Sequence, residues 1–121
     1  MIGIGCDIIE IERIKRAVSQ EHFVERVFTV KEIEYCRSRG KQAESSFAAR
    51  FAAKEALLKA LGTGHRGGSL TDIEVLTDAL GKPELKLTGY YLRVAEELGV
   101  KKAYVTLSHS KENALAFVTL E

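Results

Sequence analysis

The sequence predicts an α+β fold, with a largely antiparallel sheet packed on a long central helix. Three observations point there. Short runs rich in β-branched residues stand at the two ends of the chain, as in MIGIGCDIIEI and VTLSHSKENALAFV. Helical periodicity fills the middle, culminating in RFAAKEALLKALG from Arg50 to Gly62. Strands segregated around a block of helices are the α+β pattern, and the C-terminal strands are close enough in sequence to form a hairpin.

Residues 2–7 are an apolar, β-branched run ending at Asp7 and read as a buried strand. From about Glu10 to Ser19, Ile11, Ile14, Ala17 and Val18 recur at helical spacing, with Arg13, Lys15 and Arg16 mostly elsewhere. A short helix is expected over His22 to Phe28. Thr29 followed by Glu32 is a capping box that starts a third helix running through Arg37. SRGKQAESS reads as a loop, and the long helix is capped at Ser45, Ser46 or just before, ending near Leu61. GTGHRGGS, from Gly62 to Ser69, is a glycine-rich connection. Ile73–Thr77 and Glu84–Leu87 flank the turn LGKP as a hairpin. A helix over about Tyr90 to Leu98 stops at Gly99, and Ala103–Ser108 and Ala114–Leu120 form a second hairpin around HSKEN.

At 121 residues the chain is expected to be one domain, 1–121, small for an enzyme with its own deep cleft. That size keeps a site shared between subunits in view. Hydrophobic residues make up 45% and charged residues 29%, which excludes a disordered chain. A net charge of +1 argues against a protein built to coat nucleic acid. The N-terminal run carries Asp7 and Glu10 and no basic leader, and no apolar stretch is long enough to cross a membrane. Cys6 and Cys36 show no C-x-x-C spacing and are expected as reduced thiols in a cytoplasmic protein.

Several residues are candidates for chemistry. Within RFAAKEALLKALG, Phe51, Leu57, Leu58 and Leu61 share one apolar face, with Lys54 inside it and Glu55 on its edge. Lys54 reads most simply as a lysine whose stem covers apolar neighbours while its ammonium reaches water. Asp7 and Glu55 are carboxylates in apolar contexts, each explained by an ion pair or by a bound metal. Carboxylates without a His or Cys cluster select a hard cation such as Mg²⁺, held partly by substrate phosphates. GTGHRG matches G-x-G-x-x-G, but a helix precedes it and a strand follows, so the dinucleotide-binding reading fails. Its glycines still allow backbone N–H groups to approach a phosphate, with His65 and Arg66 adding charge. Ser108-His109-Ser110 lacks the setting of a hydrolase triad, leaving His109 as a ligand contact or a turn residue. Arg13, Arg16 and Arg26 are interleaved with glutamates and read as a solvated face, or as a docking surface for an acidic protein.

Taken together, these pieces resemble the bacterial holo-acyl-carrier-protein synthases, the small type of 4′-phosphopantetheinyl transferase. The resemblance rests on GIGCDIIEIERI, RFAAKEALLKALGTG, the DIEV strand followed by GKP, and VTLSHSKENALAFV, in the family's order and over essentially the whole chain. Gly5–Asp7 supply its G-x-D motif, and Phe51–Ala56 its F-x-x-K-E-A motif. The resemblance implies a 4′-phosphopantetheinyl-transferase-like fold. It also implies transfer of phosphopantetheine from coenzyme A to a serine of an apo-acyl carrier protein, in fatty acid biosynthesis. Asp7 and Glu55 would bind Mg²⁺ against the coenzyme A diphosphate, and Lys59 would stabilise or protonate the leaving adenosine 3′,5′-bisphosphate. Arg50, Lys54, Lys59, Gly62, Thr63, Gly64, Pro83 and His109 become candidate coenzyme A contacts. Arg13, supported by Arg16 and Arg26, would dock the carrier protein, and the assembly implied is a homotrimer with sites at subunit interfaces. The nucleophile belongs to the partner, so the missing triad is no objection.

Two other classes stay open on sequence: a non-catalytic coenzyme A or nucleotide-binding module, and a small Mg²⁺-dependent phosphohydrolase. A pure binder has no need of the Asp7, Glu55 and Lys59 set, and a hydrolase of small molecules no need of a basic docking helix.

Overall fold

A computed structural model describes residues 1–121. In chain order it consists of β1 (Gly3–Glu10), α1 (Ile11–Val18), α2 (Glu21–Val27), α3 (Val30–Arg37) and a 3₁₀ turn at Gly40–Gln42. The long α4 (Ala43–Leu61) follows, then a second 3₁₀ turn at Leu70–Asp72, β2 (Ile73–Thr77), β3 (Pro83–Leu87), α5 (Gly89–Glu97), β4 (Ala103–His109) and β5 (Asn113–Leu120). All strand pairing is antiparallel. β1, β5 and β4 form a three-stranded sheet in that order, and β2 and β3 form a separate hairpin. No helix is long and apolar enough to cross a membrane.

The local signals act as expected at most boundaries. Thr29 accepts from the Glu32 N–H while the Glu32 side chain accepts from the Thr29 N–H, so the capping box closes and α3 begins there. α4 starts earlier than a serine cap would place it. The Ser45 hydroxyl is turned back onto the Gln42 carbonyl instead, and a 3₁₀ turn leads directly into the helix. Gly62 ends α4 with φ +78°, a left-handed conformation that disfavours any side chain.

α4 differs from the expected one-faced helix, because it is the hub on which both layers pack. Its alanines (Ala49, Ala52, Ala53, Ala56 and Ala60) face the three-stranded sheet, and all are buried. On the opposite side Phe47, Leu57, Leu58 and Leu61 join Val24, Val27 and Phe28 in the core. The small side is matched by glycine. A Cβ on Gly5 would lie 2.0 Å from the Ala56 carbonyl oxygen, and one on Gly3 2.1 Å from that of Ala60. β1 therefore rides on the helix backbone itself. Side chains alternate along a strand, so the face carrying Gly3, Gly5 and Ile9 also turns Asp7 toward α4. Ile4 and Ile8 project from the other face.

Lys54 corrects the reading of a lysine reaching for water. Its side chain is 0% exposed, and Nζ contacts Glu32 Oε1 at 2.7 Å and the carbonyls of Val27, Leu70 and Ile73 at 2.8, 3.0 and 2.7 Å. Four acceptors around one nitrogen call for the three protons of an ammonium. Burial pushes the Lys54 pKa below its ordinary value, against the opposing pull of Glu32. Glu32 completes the knot by accepting from the Val75 N–H at 2.8 Å. With every donor committed inside the protein, Lys54 has none left for coenzyme A, so its assignment as a ligand contact is withdrawn.

Two substitutions test this architecture. Gly5→Ala forces β1 off α4 and should cost about 3 kcal/mol, the upper end for overpacking, read from urea unfolding; a loss below about 1 kcal/mol would show the seam can open. Lys54→Met strands a buried carboxylate and should cost about 3–5 kcal/mol. Adding Glu32→Gln should return part of that loss in the same assay.

Candidate active site

Residues one turn apart share a side of a helix, so Glu55 and Lys59 both emerge on the rim of α4 between its two packed sides. Asp7 arrives there from β1. Lys59 Nζ donates to Asp7 Oδ1 and to the Cys6 carbonyl, each at 3.0 Å. The Lys59 pKa is raised above its ordinary value, first by the Asp7 hydrogen bond, then by the Asp7 charge, with a smaller contribution from Glu55. The three predicted catalytic groups thus share one electrostatic neighbourhood.

A cavity of about 420 Å³ opens beside them, lined by Glu55, Leu58, Lys59, Gly62, Gly64 and His65. The left-handed turn at Gly62 swings the chain back along α4. His65 Nε2 comes within 2.6 Å of Glu55 Oε2, although the contact lacks hydrogen-bond alignment and leaves that buried oxygen without a partner. Thr63 directs its hydroxyl to the Gly64 carbonyl. No set of three His, Cys, Asp or Glu side chains gathers in the chain as a metal cage. A hard cation bound by two carboxylates and completed by phosphate oxygens and water needs no such cage. Glu55, whose Oε2 meets only the His65 ring, and Asp7, held by Lys59, are the two carboxylates that would enter such a donor set.

The remaining predicted coenzyme A contacts lie in a different cleft. Arg50, Pro83 and His109 border a cavity of about 200 Å³ with Tyr35, Arg39 and Thr77. His109 also faces an adjoining groove that holds Lys41 and Lys111. Arg50 is only 4% exposed and forms no ion pair. Its guanidinium stacks on Tyr35, 4.4 Å from the ring centroid, donates to Thr77 Oγ1 at 2.7 Å and reaches the Ser46 carbonyl at 3.4 Å. Nε has no partner. Tyr35 and Arg39 escaped the sequence reading. The capping box placed their helix, but nothing local indicated that its end would meet α4 at Arg50.

Arg13 and Arg16, three residues apart on α1, and Arg26 on α2 are all exposed and outside any ion pair. The cysteines are free. Cys36 is buried, which pushes its thiol pKa up to about 12 and makes it a core residue, whereas Cys6 is exposed.

The Asp7–Lys59 contact carries a prediction. Asp7→Asn should bring the Lys59 titration down toward the ordinary lysine range, followed by NMR of its side chain. A raised folded pKa stabilises fully below the unfolded pKa and loses that contribution as pH rises through the folded value. The alkaline fall in stability attributable to Lys59 should therefore shrink in the variant.

Comparison with known proteins places this geometry in a family. Residues 3–118 match the model described as the 4′-phosphopantetheinyl transferase superfamily. A holo-[acyl-carrier-protein] synthase of Geotalea daltonii is 48% identical over 122 residues, covering 98% of this chain and 97% of the relative. The crystal structure of the holo-[acyl-carrier-protein] synthase from Neisseria meningitidis superposes with a TM-score of 0.90 at 38% identity, covering 100% of this chain and 98% of that one. The Bacillus anthracis holo-(acyl-carrier-protein) synthase, in complex with CoA (3′,5′-ADP), gives 0.82 at 39% identity, with 99% and 96% covered. With its motifs, its α+β architecture and its match over nearly the full length, the chain belongs to the 4′-phosphopantetheinyl transferase superfamily.

Proposed function

We propose that the protein transfers the 4′-phosphopantetheine group of coenzyme A to a serine of an apo-acyl carrier protein, releasing adenosine 3′,5′-bisphosphate. The observation that carries this reading is the meeting of Asp7, Lys59 and Glu55 at a glycine-turned helix exit. It stands in a chain whose relatives bear the name of that synthase. The 121 residues act as one catalytic unit, supplying the carrier protein for fatty acid biosynthesis.

In the reaction the serine oxygen forms a bond to the phosphorus bearing the pantetheine arm, and the bond from that phosphorus to the bridging oxygen breaks. Asp7 and Glu55 would hold Mg²⁺, which when bound offsets the charge of the diphosphate and orients it. The chain's own acceptor for the serine proton is the Glu55 carboxylate, through the oxygen that the cation would leave free. Lys59 meets the negative charge arriving on the leaving bisphosphate. A lysine is an ammonium at neutral pH, and it serves that charge by electrostatic stabilisation. Gly62, Thr63 and Gly64 bring backbone close to the diphosphate, and Arg50, Pro83 and His109 receive the nucleotide end.

A homotrimer with sites between subunits completes the proposal. Two observations support it. The candidate coenzyme A contacts divide between the Arg50–His109 cleft and the Glu55–Lys59 cavity, a division that a neighbouring copy would bridge. The outer face of the three-stranded sheet also exposes Ile4, Ile8 (62%), Tyr104 and Phe117, an apolar stripe suited to association. Arg13, Arg16 and Arg26 present the positive surface for the acidic carrier. Two free thiols accord with a cytoplasmic setting.

Incubation with coenzyme A, Mg²⁺ and an apo-carrier protein should add one phosphopantetheine to the carrier, seen by intact-mass spectrometry. Chelation or Glu55→Gln should lower the rate at least about 100-fold, the lower bound for loss of general acid–base catalysis. Arg13→Glu should raise the KM for the carrier severalfold while leaving coenzyme A affinity unchanged. Coenzyme A binding without transfer to any of several carriers would overturn the transferase reading.

A further inference from the structure

Arg50 is a buried cation without a counterion. A guanidinium offers five N–H donors, and here only two acceptors meet them, one of them at 3.4 Å. Nε is buried and unpartnered, and no carboxylate lies within ion-pair distance of the side chain. Such a charge costs free energy unless something compensates it. The compensation within the chain is the face of Tyr35, 4.4 Å from the Arg50 guanidinium carbon, with the Arg39 guanidinium 5.6 Å from the same ring. All three side chains border the same cleft. Tyr35 stands three residues after Glu32 on α3, and Glu32 is fixed to α4 through Lys54. The ring is therefore anchored to the helix that carries Arg50, within one turn of that tie.

We propose that Tyr35 is a positioning residue for substrate binding. Its ring holds Arg50 at the wall of the cleft, in a posture that lacks only an anion, and a phosphate of coenzyme A supplies it. This rests on the transferase reading for the identity of the ligand. It adds that affinity depends on an aromatic face that itself touches no phosphate. With the diphosphate placed at Asp7, Glu55 and the Gly62–Gly64 turn, the phosphate left for Arg50 is the one on the ribose at the nucleotide end.

The test measures coenzyme A affinity by calorimetry on the intact protein, together with KM and kcat for transfer. Tyr35→Leu and the longer, unbranched Tyr35→Met should weaken coenzyme A binding and raise its KM about tenfold, the scale of a cation–π contact. The kcat and the KM for the carrier should stay within about twofold. Tyr35→Phe, which keeps the ring face, should retain wild-type affinity. In an Arg50→Gln background, Tyr35→Met should add less than about twofold, because the ring acts through Arg50. The penalty should vanish with dephospho-coenzyme A, and an equal penalty with both ligands would overturn the assignment to the ribose phosphate. Unchanged affinity in both Tyr35 variants, equal damage from Tyr35→Phe, or a full effect in the Arg50→Gln background would each overturn the proposal. Wild-type protein that binds coenzyme A but transfers nothing would sink the transferase reading and leave this one standing on affinity alone.

Discussion

The buried ion pair between Lys54 and Glu32 is the constraint on which the rest of the molecule depends. Through one ammonium and one carboxylate, α4 is tied to the end of α2, to the start of α3, to the 3₁₀ turn before β2, and to β2 itself. Two charges in a dry interior recover their desolvation cost only when geometry and extra hydrogen bonds are both good. Here both ions are surrounded by further partners. The pair fixes the placement of α3 and β2 against α4, because Glu32 and the Val75 N–H must both reach it.

The second constraint is steric and lies across the helix. Glycines of β1 meet alanines of α4 with no room for a Cβ, which sets the separation of strand and helix at the backbone. Asp7 follows Gly5 by two positions on the same strand face, so this close approach also delivers a carboxylate to the rim where Glu55 and Lys59 emerge. The two constraints hold opposite sides of α4. Between them, a rim of the helix stays open for chemistry while the rest is locked.

Much of this was legible in the sequence. The α+β class, the order of elements and the capping box at Thr29 come from periodicity and turn chemistry, which are local. That Asp7 and Lys59 serve one site was implied by the family resemblance, but their direct contact was not, because spacing relates no strand residue to a distant helix residue. What periodicity could not convey was that α4 is packed on nearly all sides. Alanine is a good helix former whether buried or exposed, so the stripe facing the sheet carried no contrast, and Lys54 looked amphipathic when it was interior. The Tyr35–Arg50 stack was hidden for a related reason. It joins two helices separated by a loop, and no local rule relates their facing residues.

The partly compensated charge of Arg50 has a consequence for the lifetime of the protein. A folded chain carrying an under-satisfied interior cation stands below the stability its fold could reach, and any anion that binds the native state alone adds stability that grows with the logarithm of its concentration above Kd. On the transferase reading, that anion is carried by the substrate. The substrate pool would then help set how often the chain opens to proteolysis, so that enzyme abundance and substrate supply rise together without a dedicated regulator.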